Sequence, residues 1–321
     1  MKRSQTWFLA FSLVGACSAD QPVTATATVN GVVEVDNAIE NATVFLDYNH
    51  NNLLDAGEPR VATDATGHFT LSWDNPGPEY ADTIGAIIDP TSTRVGMTGD
   101  AAAIGLALHM RAPLGDTSGA YDGAVAISPL TTLVVSELAS DPTLTPAAAE
   151  AKIAGAVSAS HLPFTPGEAV DVMGDYAGTQ TSADSVQLRY VAGAVGAAVA
   201  SAVTEGNSLQ STVDCNDAMF FNAAIVALDH QLTAIANGTY AFSQLTRTQQ
   251  QDVAQNPANY NGYFIDTAQL ADDIEAELLA AGEDLAEALF EEFKDQFVDE
   301  LEQVVADLAL ELIEEGIEAV I

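Results

Sequence analysis

Cysteine and positive charge are what this sequence has least of. Two cysteines, Cys17 and Cys215, occur in 321 residues, which leaves room for at most one internal disulfide. Nine Lys and Arg stand against 46 Asp and Glu, for a net charge of −37. Such a surface repels nucleic acid and anionic lipid headgroups, so nucleic acid is excluded as a partner. It keeps the chain soluble and attracts cations. No nucleophile elbow, zincin helix or phosphate loop is present. The five histidines, at 50, 68, 109, 161 and 230, form no pair at metal-ligand spacing. They read as surface or satisfied core residues. Disorder is excluded as well, because 48% of the residues are hydrophobic, many of them Ala and Val.

What is present begins at the N-terminus. Lys2 and Arg3 precede a short apolar run from Trp7 to Val14, and small residues then lead to Cys17. A bilayer span needs about 20 apolar residues, so this run has the layout of a secretory signal over residues 1–16. Val14-Gly15-Ala16-Cys17 resembles the bacterial lipobox. That resemblance implies cleavage before Cys17, acylation of its thiol and amine, and a stable membrane anchor. Ser18, a residue other than Asp, implies the outer membrane by the same resemblance. Cleavage removes Lys2 and Arg3, so the mature chain of 305 residues carries −39. With Cys17 acylated, Cys215 has no partner in the chain and reads as a small buried apolar residue. The abundance of acid with little Lys is similar to proteins of saline habitats.

The mature chain is long enough for about two domains, and its two halves differ in character. Residues 17–125 contain short segments rich in Val, Thr and aromatics, namely TATATVNGVVEV, ENATVFLDY, HFTLSW, AIIDP and AAAIGLALHMRAP. Turns of Asn, Asp, Gly and Pro separate them, which predicts a small antiparallel β-sandwich. Residues 126–321 predict a helical bundle, giving an α+β chain. Ser128-Pro129 and Thr145-Pro146 open helices, Ser182 to Glu205 is a long Ala-rich one, and Asn216 to Ala236 is another. The glycines of GAVGAA at Gly193 predict close helix packing. No repeat occurs at a solenoid period.

One motif carries chemistry. From Asp47, DYNHNNLLDAGEP places Asp47, Asn49, Asn51, Asp55 and Glu58 at positions 1, 3, 5, 9 and 12 of a calcium loop. Calcium takes six to eight oxygens in flexible geometry. Alternate side chains on a curling loop point inward, the backbone carbonyl of Leu53 serves at position 7, and Glu58 closes the shell with two oxygens. Position 6 is Asn52 where Gly is usual, and Asn is the next best residue for a left-handed backbone. The neutral Asn49 and Asn51 set the expected affinity on the order of 10⁻⁵ to 10⁻³ M. The flanks are not helical. From Gly31-Val32-Val33 through Ala42 to Asp47, Gly57-Glu58-Pro59 and Thr63-Asp64-Ala65-Thr66-Gly67-His68-Phe69, the chain resembles the calcium-binding B-type repeats of bacterial surface proteins and their prealbumin-like relatives. That resemblance implies a β-sandwich stalk or spacer with calcium in the acidic loop, and a role for Asp64 in capping the turn or assisting the metal. Ile127-Ser128-Pro129-Leu130-Thr131-Thr132-Leu133-Val134 is similar to a phrase that follows such modules.

The last 56 residues, 266–321, carry 19 acids and one Lys. Phe290, Phe293, Phe297, Leu301, Val304, Leu308 and Leu312 recur at steps of 3, 4, 4, 3, 4 and 4, one face of a long amphipathic helix. The stripe packs on the protein's own bundle or on a partner helix, from a second copy or another envelope protein. Membrane insertion would call for Lys and Arg on the polar face. The sequence therefore predicts a non-enzymatic, calcium-stabilised envelope lipoprotein that serves adhesion, scaffolding or assembly. The rival expectation is an enzyme or solute-binding protein with its site between the β-module and the helical half. Acidic pairs fit for glycosidase work are numerous, and spacing alone selects none.

Overall fold

The computed structural model describes residues 25–49, 51, 53–75, 83–89, 91–96, 104, 107–114, 122–159, 170–177, 183–209, 217–236, 266–281 and 287–314. The signal segment, Cys17, Cys215, His50, Asn52, His161 and the Asn237-Gly238 stop lie outside the described residues. Nine strands precede six helices among those described. The strands are β1 Ala25–Val33, β2 Ile39–Glu40, β3 Thr43–Leu46, β4 Arg60–Ala62, β5 His68–Asn75, β6 Thr83–Ile88, β7 Thr93–Arg94, β8 Leu108–Pro113 and β9 Asp122–Ile127. The helices are α1 Pro129–Ser140, α2 Pro146–Ala159, α3 Ala183–Leu209, α4 Asp217–Ala236, α5 Thr267–Ala280 and α6 Glu287–Glu314. The fold class is α+β, strands first and helices after.

Two main sheets face each other, ordered β5-β1-β9 and β4-β3-β6-β8, beside a small β2-β7 ribbon. Strand β5 shows why the pattern folds this way. Phe69, Leu71 and Trp73 are buried, while His68, Thr70, Ser72 and Asp74 face out. That is the period-2 alternation of a half-buried strand. Exposed hydroxyls extend the pairing across the strands, Thr28 to Ser72 at 3.0 Å and Thr70 to Asn30 at 2.7 Å. One pairing corrects the expectation of an all-antiparallel sandwich. Strand β9 runs parallel to β1, with Gly31 beside Val125 and Val33 beside Ile127. A parallel neighbour needs a long connection, and here the rest of the sandwich provides it.

The junction between strands and helices begins at Ser128. Its hydroxyl accepts the Thr131 N–H at 3.2 Å, and Thr131 Oγ1 accepts the Ser128 N–H at 2.8 Å, a capping box. Thr131 Oγ1 also donates to the Arg111 carbonyl at 2.7 Å, and the Arg111 N–H donates to Thr132 Oγ1 at 2.9 Å. The ISPLTT phrase is thus the joint that fixes α1 to β8. A second joint lies at the end of β1. Glu34, fully buried, accepts from the Ala177 and Tyr176 N–H groups at 2.9 and 3.4 Å, and Tyr176 Oη donates to the Val35 carbonyl. Arg189 of α3 donates to the Asp36 carbonyl and to Asn37 Oδ1. Gly196, within the GAVGAA stretch, admits both halves closely. A Cβ there would sit 3.0 Å from Val35 and 3.2 Å from Pro129. One continuous apolar core results, running from Val29 and Leu46 through Leu133 and Val195 to Phe297.

The C-terminal stripe turns inward. Phe290, Phe293, Phe297 and Leu301 are buried, and Phe293 meets Phe220 of α4 at 5.3 Å between ring centroids. The side chains of Leu308 and Leu312 lie outside the described ones. Among the described residues no helix is long and apolar enough to cross a membrane.

Candidate calcium loop and the carboxyl pairs

The 47–58 loop joins β3 to β4, which pair antiparallel with Phe45 opposite Arg60. It closes where the Leu46 N–H reaches the Pro59 carbonyl at 3.1 Å. Gly57 turns the chain at φ +103°, a conformation side chains disfavour. Five of the side chains singled out from the sequence meet in one hydrogen-bonded network. Asp47 Oδ1 accepts from the Asn51 N–H at 3.2 Å. Asn49 Oδ1 accepts from the same N–H, and Asn51 Oδ1 accepts from the Leu53 N–H at 2.8 Å. The Asn49 and Asn51 amides donate to Asp55 Oδ2 at 2.7 and 2.8 Å. Glu58 Oε1 accepts from the Tyr48 N–H at 2.9 Å, and Oε2 accepts from the Asp55 N–H at 2.8 Å. Burial and the Glu58 charge raise the Tyr48 phenol above its ordinary value.

The donor chemistry suits a hard divalent cation, because every inward group is an oxygen or an amide that carries one. Asn oxygen and nitrogen are nearly isosteric, so a half-turn of each amide would aim its oxygen at the point near Asp55 where its NH₂ now converges. Glu58 braces the loop through two backbone N–H groups. Among the described residues no three His, Cys, Asp or Glu side chains are grouped to hold a metal, so Asp47, Asp55 and Glu58 are not gathered into one carboxylate cluster. The Leu53 side chain is exposed, which leaves only its backbone to contribute. Asp64 caps its own turn. Its Oδ1 accepts from Thr66 N, Thr66 Oγ1 and His68 N at 2.8, 2.6 and 3.0 Å. Those bonds, the Thr66 hydroxyl first, hold its carboxyl below the usual range. Asp89 with Thr91 and Asp141 with Thr143 repeat the Asp-x-Thr turn.

Sequence reasoning missed Arg111 and the carboxyl pairs. Arg111 lies over the Phe221 ring at 5.2 Å, and among the described residues its buried Nε has no hydrogen-bond partner. Burial pulls its guanidinium down to about 10, with the Asp47 charge opposing that fall. In the bundle, Glu137 of α1, Lys152 of α2 and Asp229 of α4 converge. Lys152 bonds Glu137 and stands 3.9 Å from Asp229. Burial, and then the hydrogen bond and charge of Glu137, push the Asp229 carboxyl from 3.8 up to about 7. Glu300 of α6 meets Glu205 of α3, and burial leads the rise of the Glu300 carboxyl. Glu34 is raised well above its usual range, mainly by burial. No local signal marks these pairs, since their members are tens of residues apart.

Comparison with known proteins adds little. No family model matches the chain, and no curated protein matches it. Among solved structures the chain is similar to a 9R-lipoxygenase from Cyanothece PCC8801 at 12% identity, covering 81% of this chain and 31% of that one, with a TM-score of 0.19. The chain spans under a third of that enzyme's length, and a likeness at that score carries no argument.

Proposed function

We propose that this chain is a non-enzymatic, calcium-stabilised lipoprotein of the bacterial outer membrane, anchored through Cys17 and serving adhesion, scaffolding or assembly. The observation that carries the reading is the 47–58 loop. Asp47, Asn49, Asn51, Asp55 and Glu58 form one oxygen-rich network on a hairpin whose sheet belongs to the common core. A cation held there would tie β3 to β4 and brace the sandwich. The contents of the strand–helix junction favour a structural part over an enzymatic or solute-binding one. Tyr176 and Arg189 bond the Val35 and Asp36 carbonyls after β1, and Arg111 of β8 stacks on Phe221 of α4.

Calorimetric titration of the full chain with calcium tests the loop, with uptake of one ion on the order of 10⁻⁵ to 10⁻³ M expected. Magnesium is expected to substitute poorly, because it demands a tighter octahedral shell. Absence of uptake removes the calcium half of the reading. Cys17→Ser tests the anchor, with the protein expected to leave the membrane fraction. Wild-type protein found soluble with an unmodified N-terminus removes that half.

A further inference from the structure

The sheet register places Arg111 on the same face as Phe45, just ahead of the calcium loop. Phe45 pairs with Gly85, and Gly85 pairs with Arg111, so the three form one row across β3, β6 and β8. The Phe45 ring lies over Gly85, where an added Cβ would approach within 2.6 Å of it. That ring therefore covers the face from which Arg111 rises. Asp47 follows Phe45 by two residues, one past the end of β3, and its charge acts on the Arg111 guanidinium. It is 2% exposed, a carboxylate taken almost wholly out of water. The α4 helix closes the face, with Phe221 against the guanidinium and 6.5 Å from the His109 ring. Asp47 and the Arg111 Nε are both buried, where water screens their charges poorly. A buried carboxylate needs a counter-charge or enough donors.

We propose that Arg111 is the resident counter-cation of the 47–58 loop, balancing Asp47 from beneath and setting how tightly the loop takes a divalent cation. The second half rests on the calcium reading, while the first stands without it. The backbone of Arg111 is fixed by Thr131 and Thr132 and its guanidinium lies over Phe221, so the charge is delivered from the α1 joint. A fixed positive charge on the far side of Asp47 draws on the same carboxylate that a dication would use and repels that dication. Removing it takes away the positive charge that competes with the arriving ion for Asp47.

Two measurements on the full chain separate the halves. In chelator, a double-mutant cycle of Asp47→Asn and Arg111→Met is read by urea unfolding. Asp47→Asn is expected to lower the folding equilibrium constant about tenfold in the wild-type background and negligibly beside Arg111→Met. Additive effects overturn the pairing, whether or not calcium binds. In calcium titrations, Arg111→Met is expected to bind about tenfold tighter than wild type, and Arg111→Lys, which keeps the charge, to stay near wild type. Unchanged or weaker binding by Arg111→Met overturns the role in affinity. A wild type that takes no calcium fails the calcium reading and with it this second role, and the chelator cycle still decides the first.

Discussion

The 47–58 loop and the knot of α1, α2 and α4 handle buried acid in opposite ways. In the loop each carboxylate is met by donors. Asp47 receives the Asn51 N–H, Asp55 receives two side-chain amides, and Glu58 receives two backbone N–H groups. In the knot, Glu137 and Asp229 face each other with Lys152 between them, and among the described residues Asp229 Oδ1 is buried without a hydrogen-bond partner. The contrast teaches that a buried acid is held either by N–H donors or by a facing carboxyl, and that burial acts on top of both, as at Asp229 and at Glu34. In the knot, burial first and then the facing Glu137 favour the protonated form of Asp229.

The largest expected effect breaks the loop side of this contrast. Saturating calcium, at 100 times its dissociation constant, is expected to stabilise the wild type by about 2.7 kcal/mol. Asp47→Ala with Glu58→Ala is expected to abolish the difference between melting in calcium and in chelator. Persistence of that difference in the double variant would place the ion elsewhere. Because the apolar core is continuous, the shift should appear in both sheet and helix signals of circular dichroism.

The next effect tests the knot. The folded-state value of Asp229, about 7, lies above its ordinary 3.8, so folding favours the protonated carboxyl. That contribution is complete below the ordinary value and is lost as pH rises through the folded one. Wild-type stability relative to Asp229→Asn should therefore fall between about pH 4 and pH 7, leaving the variant about 2 kcal/mol more stable at pH 8. Parallel stability profiles for the two proteins would show that the pair holds no proton. The smallest effect belongs to Glu300→Gln at the α3–α6 contact. Glu300 is half-buried and solvent still screens part of its repulsion from Glu205, so a gain of no more than about 0.5 kcal/mol at pH 8 is expected in the same assay.

How much of this was legible follows from distance along the chain. Strand β5 announced itself through Phe69, Leu71 and Trp73, and α1 through Ser128-Pro129, because period and cap are local. The five loop side chains were found from spacing within twelve residues. The parallel place of β9 was hidden, because Asp122 to Ile127 carries no mark of its partner. Arg111 was hidden too, since only the register through Gly85 sets it on the face of Phe45, two residues ahead of Asp47. Glu137 and Asp229 belong to different helices, and among 46 acids their pairing is written only in the packing.

The parallel strand also imposes a timetable. Strand β1 comes first in the described sheet and β9 last, yet they lie side by side, with Val29 against Gly123. A chain emerging N-terminus first can zip β1 to β5 early, because fewer than 50 residues separate them. The other flank of β1 stays bare until residue 127 has emerged, and the Ser128 joint that starts the bundle follows at once. Closing that flank and starting the helices are therefore consecutive events. Until then the open edge of β1 is a landing strip for any extended segment, including one from a neighbouring copy.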